Sequence, residues 1–161
     1  MTAAVLTVSD SAAQGEREDL SGPATTELLR QHGFDIVTQR IVSDEQREIE
    51  AGLLELAEQA QLVVTTGGTG IAERDVTPEA TRTVCSRLIE GIPEKMRAAG
   101  FAKTPYAMLS RGVCGVRGRS LLLNLPGSPK GAVESLEAVI DVLPHVIDLL
   151  AGKTGHGAEH L

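Results

Sequence analysis

The sequence predicts an α/β fold built on a largely parallel sheet covered on both faces. Strand-like and helix-like segments alternate along the chain, as in βαβ units. Two of the strand-like segments, Leu62–Thr66 and Leu121–Leu125, are apolar without a period-two alternation, as expected where both sheet faces are buried. Between them and before them, helical segments carry one-sided apolar stripes, exemplified by Ile49, Leu53, Leu56 and Ala60.

In chain order, Ala3–Val8 is the first strand and runs into a polar loop, Ser9–Ser21. Pro23, at a first helical position, opens a helix to about Gln31 that Gly33 ends. Phe34–Val42 is the second strand. Ser43 and Gln46 fit a capping box for the helix with the Ile49–Ala60 stripe. After the third strand, Leu62–Thr66, a glycine loop leads to a helix start at Thr77-Pro78-Glu79. A helix including Val84 and Leu88 is expected to stop near Gly91, and Pro93 starts another to about Gly100. Val113–Val116 and Leu121–Leu125 flank a turn at Arg117-Gly118-Arg119. The last helix presents Val133, Leu136, Ile140, Ile147 and Leu150 on one side, with Pro144 kinking or restarting it. Residues 1–152 are expected to form a single domain, and 153–161 a flexible tail.

Composition excludes several functions. The net charge of −7 argues against nucleic-acid binding, which needs a basic face. Aromatics are 2% of the 161 residues, with no Trp, so no base-stacking platform is expected. No apolar run reaches membrane-spanning length and the first residues do not resemble a signal peptide, so a cytoplasmic location is expected. Cys85 and Cys114 form no ligand-spaced motif and are expected as buried free thiols. His156 and His160 are separated by Gly157, which disfavours a metal pair. Arg111, Arg117 and Arg119 are expected mostly as solvated loop charges.

The chemistry converges on four loops. Thr66, Gly67, Gly68, Thr69 and Gly70 follow a strand directly, where glycines let backbone amides approach a ligand. This is neither a Walker A loop, since no Gly-Lys-Ser/Thr follows, nor a dinucleotide fingerprint, since Glu73 stands in the third glycine's place. Asp75 follows that loop and Asp44 follows the second strand, so both carboxylates belong at the carboxyl edge of a parallel sheet, facing one crevice. There they suit Mg²⁺, which takes one or two carboxylates and substrate phosphates. Ser9 and Asp10 open on the same edge after the first strand. Pro126, Gly127, Ser128 and Lys130 form a stiff turn after the last strand, with exposed amides and a positive charge for another phosphate.

The string Thr65–Gly70 with Arg74-Asp75-Val76-Thr77-Pro78-Glu79-Ala80-Thr81 resembles the signature of the molybdopterin adenylyltransferase family of molybdenum cofactor biosynthesis. Val8-Ser9-Asp10-Ser11, Val42-Ser43-Asp44-Glu45 and Asn124–Lys130 match in the family's order, to about Gly152. The resemblance implies a Rossmann-like three-layer α/β/α sandwich that forms a homotrimer or a hexamer. It implies Mg²⁺- and ATP-dependent transfer of AMP to the terminal phosphate of molybdopterin, and hand-over to a molybdate-inserting enzyme. Asp44 and Asp75 map onto the family's important acidic residues and are the expected Mg²⁺ holders. The Gly loop, Ser9-Asp10 and the Pro126–Lys130 turn map onto the pterin and nucleotide pocket. A non-catalytic molybdopterin carrier of the same family is the alternative, and a generic nucleotide-binding regulator a third reading.

Overall fold

A computed structural model describes residues 1–155. Its sheet has six strands: β1 (Thr2–Val8), β2 (Asp35–Val42), β3 (Leu62–Thr66), β4 (Arg87–Leu88), β5 (Cys114–Arg117) and β6 (Ser120–Leu125). The spatial order is β2-β1-β3-β6-β5-β4. β2, β1, β3 and β6 run parallel, and β5 and β4 extend one edge antiparallel. The helices are α1 (Asp10–Ala13), α2 (Ser21–Gln31), α3 (Gln46–Gln59), α4 (Thr77–Val84), α5 (Gly91–Phe101), α6 (Pro129–Glu137) and α7 (Leu143–Leu150).

Strand parity sorts the core into two layers. Ala3, Val5, Leu62, Val64, Leu121 and Leu123 pack against Leu29 of α2, Met96 of α5, Leu136 of α6 and Ile147 of α7. Their neighbours Ala4, Leu6, Val63 and Leu122 point to the other face, against Ile49, Leu53 and Leu56 of α3 and Ala80 of α4. Both faces are therefore covered, and the expected three-layer α/β/α sandwich is the observed one. No helix among the described residues is long and apolar enough to cross a membrane.

Several elements differ from expectation. The Ser9–Ser21 loop contains the one-turn helix α1, capped by the Ser9 hydroxyl, which accepts from Ala12 N at 3.2 Å. The Ser43–Gln46 capping box does not form. Glu45 is the N-cap of α3, and the Ser43 hydroxyl donates to Glu48 instead. The helix expected through Leu88 ends at Val84. Arg87–Leu88 pair with Val116 and Gly115, and the Ser86 and Ile89 amides each donate to β5 at 2.8 Å. The open edge of β5 supplies backbone partners, which outweighs a weak local helical preference. The last helix breaks into α6, a 3₁₀ turn at Ile140–Val142 and α7, with Pro144 in the first turn of α7. It restarts a helix, where its missing N–H costs nothing. Most of the expected tail, including His156 and His160, lies outside the described residues.

One buried polar network ties β3 and β6 to α4. Asn124 of β6, 1% exposed, donates to the hydroxyls of Thr65 at 3.0 Å and Thr81 at 2.9 Å, and accepts from Val113 N at 3.1 Å. Thr81 in turn donates to the Thr77 carbonyl at 2.8 Å. Asn124→Ala removes these contacts and orphans the Val113 amide. The expected loss is about 1–3 kcal/mol, read as a lower urea midpoint with an unchanged slope.

Candidate functional site

Strand register decides what meets at the carboxyl edge. Val8 pairs with Val42, Thr7 with Thr66, and Thr66 with Leu125. The residues that follow these strand ends, Ser9, Ser43, Gly67 and Pro126, therefore begin four loops abreast. Between them lies a polar cavity of about 390 Å³, lined among others by Ser9, Asp44, Thr66, Gly67, Gly68, Asp75, Gly127 and Ser128. A second cavity of about 390 Å³, largely apolar, lies toward α5 and the 3₁₀ turn Pro105–Leu109. Its walls include Thr69, Gly70, Met96, Leu109 and Pro126. Gly127 borders both.

The wall between them is the Gly loop. Gly67 and Gly68 have φ of +95° and +69°, the left-handed region that side chains disfavour. A Cβ at Gly67 would run into the Val8 carbonyl oxygen, and one at Gly68 into the Thr77 hydroxyl. Thr77 fastens the loop: its hydroxyl donates to Gly67 O at 2.9 Å and its amide to Gly68 O at 3.1 Å. Gly67 N donates to Leu125 O at 3.1 Å. The amides of Gly68, Thr69 and Gly70 make no hydrogen bond among the described residues. These N–H groups, and the start of α6 beside Ser128, are suited to anionic oxygens.

The carboxylates have divided tasks. Asp10 and Asp44 cap each other's loops reciprocally: Asp10 N donates to Asp44 Oδ2 at 2.8 Å, and Asp44 N to Asp10 Oδ1 at 2.9 Å. Arg74 grips Asp10 through Nε at 2.6 Å and Nη2 at 3.0 Å, and reaches Glu45 at 3.0 Å. That guanidinium holds the Asp10 carboxyl below its ordinary value. Burial pushes Asp44 the other way, against the Asp10 hydrogen bond, and the nearby Asp10 and Asp75 charges add to the rise. Asp75 Oδ2 accepts from Ala72 N at 3.0 Å. Oδ1 of Asp44 and Oδ1 of Asp75 accept no hydrogen bond among the described residues. Two carboxylates on one cavity, each with one uncommitted oxygen, fit the ligand habit of Mg²⁺ with phosphates.

Of the expected site residues, Asp10 and Lys130 line neither cavity. Asp10 is held by Arg74 and the Asp44 amide, and Lys130 stands exposed on α6. Ser128 caps α6, accepting from Gly131 N at 3.0 Å. Four residues make contributions that were not anticipated. Asp19 lines the polar cavity, accepts from Thr7 at 2.7 Å and caps α2 through Gly22 N at 3.0 Å. Its spacing of three from Gly22 is a cap signature that was legible. Arg74, a quoted motif residue, is the Asp10 partner. Arg111, expected among solvated loop charges, donates to the carbonyls of Gly70 and Asp75, and Arg117 donates to Val84 O at 3.4 Å.

A parallel α/β sheet with a left-handed Gly loop, open amides and two carboxylates at its carboxyl edge defines a protein built to receive phosphate-bearing ligands there. The chain belongs to the family described as probable molybdopterin binding domain, whose pattern matches residues 4–145. It is 45% identical over 153 residues to a molybdopterin adenylyltransferase of Helicobacter pylori, covering 92% of this chain and 87% of that one. It is 43% identical over 148 residues to the molybdopterin adenylyltransferase of Escherichia coli K12, covering 89% and 75%. The crystal structure of the molybdopterin biosynthesis enzyme MoaB from Thermus thermophilus superposes with a TM-score of 0.88 at 51% identity, covering 94% and 97%.

The raised Asp44 carboxyl has a stability consequence. Its charged form is disfavoured by folding, so the cost is absent below the ordinary value of 3.8 and fully present above the raised one. Asp44→Asn, which keeps an acceptor for Asp10 N, is expected to be more stable than the native chain at pH 7. That gain should fade as pH falls through the acid range. Thermal melts at pH 7 and near pH 3 check this.

Proposed function

We propose that this protein is a molybdopterin adenylyltransferase, moving AMP from ATP to the terminal phosphate of molybdopterin with release of pyrophosphate. The observation that carries the reading is the pairing of Asp44 and Asp75 with the Gly67–Gly68 loop on one cavity. The named relatives support it, each matched over three quarters or more of its length. The adjoining apolar cavity suits a ligand with a ring at one end and phosphate at the other.

The nucleophile in this reaction is a phosphate monoester, largely ionised at neutral pH, so no strong general base is required. One of its oxygens bonds to the α-phosphorus as the bond to the bridging oxygen of pyrophosphate breaks. The obstacle is repulsion between anions. In this chain the amides of Gly68, Thr69 and Gly70 and the start of α6 beside Ser128 are the groups that orient and partly neutralise phosphate oxygens. Asp44 and Asp75 are the residues that would hold Mg²⁺, which supplies charge neutralisation when bound. Ser9 and Thr66 contribute hydroxyls to the same cavity, Gly127 and Ser128 its far wall, and Pro126 the wall of the adjoining apolar one. Asp10 bears on it only through its exchange with Asp44, and Lys130 lies outside it.

The reading includes residues 1–152 as one catalytic domain, a homotrimer, and delivery of the product to a molybdate-inserting enzyme. Support for self-association is the exposure of Phe101, Tyr106, Met108 and Leu109 at and after the end of α5. The reducing cytoplasm suits the two free thiols, which burial pushes up to about 11 for Cys85 and about 12 for Cys114.

Purified protein with molybdopterin and Mg-ATP is expected to form adenylylated pterin and pyrophosphate. Asp75→Asn should abolish turnover, and Asp44→Asn should lower it by about 100-fold or more. Pterin binding without pyrophosphate release would refute the proposal in favour of a carrier. Light scattering should give three times the chain mass of 17.0 kDa, and a monomer would contradict the trimer.

A further inference from the structure

The loop that carries Asp75 has little beneath it. Ile71, Ala72, Glu73 and Arg74 are all exposed, and the bonds between Ala72 and Asp75 are local to the loop. Thr77 anchors the glycines before it, not the segment itself. Arg74 ties the outer side of the segment to Asp10 and Glu45, and its two ends are joined by one side chain from the strand approach on the other side. Arg111 donates from Nε to Gly70 O at 2.8 Å, from Nη2 to Asp75 O at 2.7 Å, and from Nη1 to Glu79 Oε1 at 2.5 Å. Its own amide donates to Thr69 O at 2.8 Å. One planar group thus joins the loop's first residue, its last residue and the first turn of α4.

We propose that Arg111 is a positioning residue that sets the Asp75 carboxylate, an inference resting on the adenylyltransferase reading above. Arg111 lines a third cavity of about 450 Å³ behind the loop, and neither of the two that border the Gly loop. It acts on substrate only through residues it holds, the Thr69–Gly70 end of the Gly loop and above all Asp75, whose carbonyl it binds. Arginine is needed because the three acceptors lie in different directions. A guanidinium presents several donors at fixed angles, whereas a lysine ammonium on a flexible stem cannot hold all three at once. Glu79 is the charge partner. Burial opposes its ionisation, yet the hydrogen bond and charge of Arg111 keep its carboxyl below the ordinary value. Its Oε2 is buried without a hydrogen-bond partner, so Arg111 is its principal compensation.

The test compares full-length native chain, Arg111→Lys, Arg111→Ala and Glu79→Gln by adenylylation kinetics and amide hydrogen exchange. Arg111→Lys keeps the charge and loses the fork. It is expected to lower kcat about 10-fold or more while KM for ATP stays within about threefold, the signature of a misplaced group. Exchange across residues 70–76 should accelerate, and millimolar guanidinium should restore part of the kcat of Arg111→Ala. Glu79→Gln, which leaves the two carbonyl contacts in place, should retain most of its kcat. Native kcat in Arg111→Lys, or equal losses in Arg111→Lys and Glu79→Gln, would overturn the proposal. If Arg111→Ala does not fold, Arg111→Lys decides alone. A native chain that adenylylates nothing would refute the adenylyltransferase reading, not the clamp. Arg111 is then judged by exchange, and loop amides no faster in Arg111→Lys than in the native chain overturn it.

Discussion

The site depends on how Thr77 holds the Gly loop. Its hydroxyl and its amide bind the carbonyls of Gly67 and Gly68, two consecutive left-handed residues. That pair of bonds turns the chain out of β3 and leaves the amides of Gly68, Thr69 and Gly70 without a hydrogen bond among the described residues. Thr77 is itself held from behind: Thr81 binds its carbonyl, and Asn124 binds Thr81 and Thr65. The network runs through the sheet interior, where an unmatched polar group is costly and a fully matched one rigidifies. Core and site are therefore one mechanical unit. A change at Asn124, behind the loop, reaches it through three hydrogen bonds, by way of Thr81 and Thr77.

The second constraint is charge. An acidic chain that receives phosphates must keep most of its carboxylates away from them. Asp10 is occupied by Arg74 and the Asp44 amide, Glu79 by Arg111, and Asp19 by Thr7 and the start of α2. Asp44 and Asp75, beside the Gly loop, are left facing the polar cavity with an oxygen to spare, and Glu18 and Arg17 line it from the α1–α2 side. Burial makes the charge on Asp44 unfavourable, which is the electrostatic state a bound cation would relieve. Stability and function pull in opposite directions at that residue, as is common where strain sits in a binding site.

Much of this was legible in the chain. The apolar runs Leu62–Thr66 and Leu121–Leu125 mark central parallel strands because burial on both faces removes alternation. The glycines and the Thr77-Pro78 helix start mark the loop between a strand and a helix, and strand direction then places Asp44 and Asp75 on one edge. Elements whose state depended on a distant partner were not legible. Arg87–Leu88 became strand because β5 had an open edge, and Ser43 lost its capping role because Glu48 and the Asp10–Asp44 exchange took over that corner.

Fold class, the glycine loop and the placing of the two carboxylates follow from periodicity, backbone freedom and strand order along the chain. Tertiary structure alone decided which charged groups remain available. Asp10 and Asp44 look alike in sequence, each after a strand and a serine. Arg74, 64 residues beyond Asp10, closes on one of them and leaves the other to the cavity. Arg111 and Asp75 are 36 residues apart and meet only when β5 and α4 pack at the same sheet end. Pairings of that kind carry no local signature, since neither partner's neighbours in the chain record the contact.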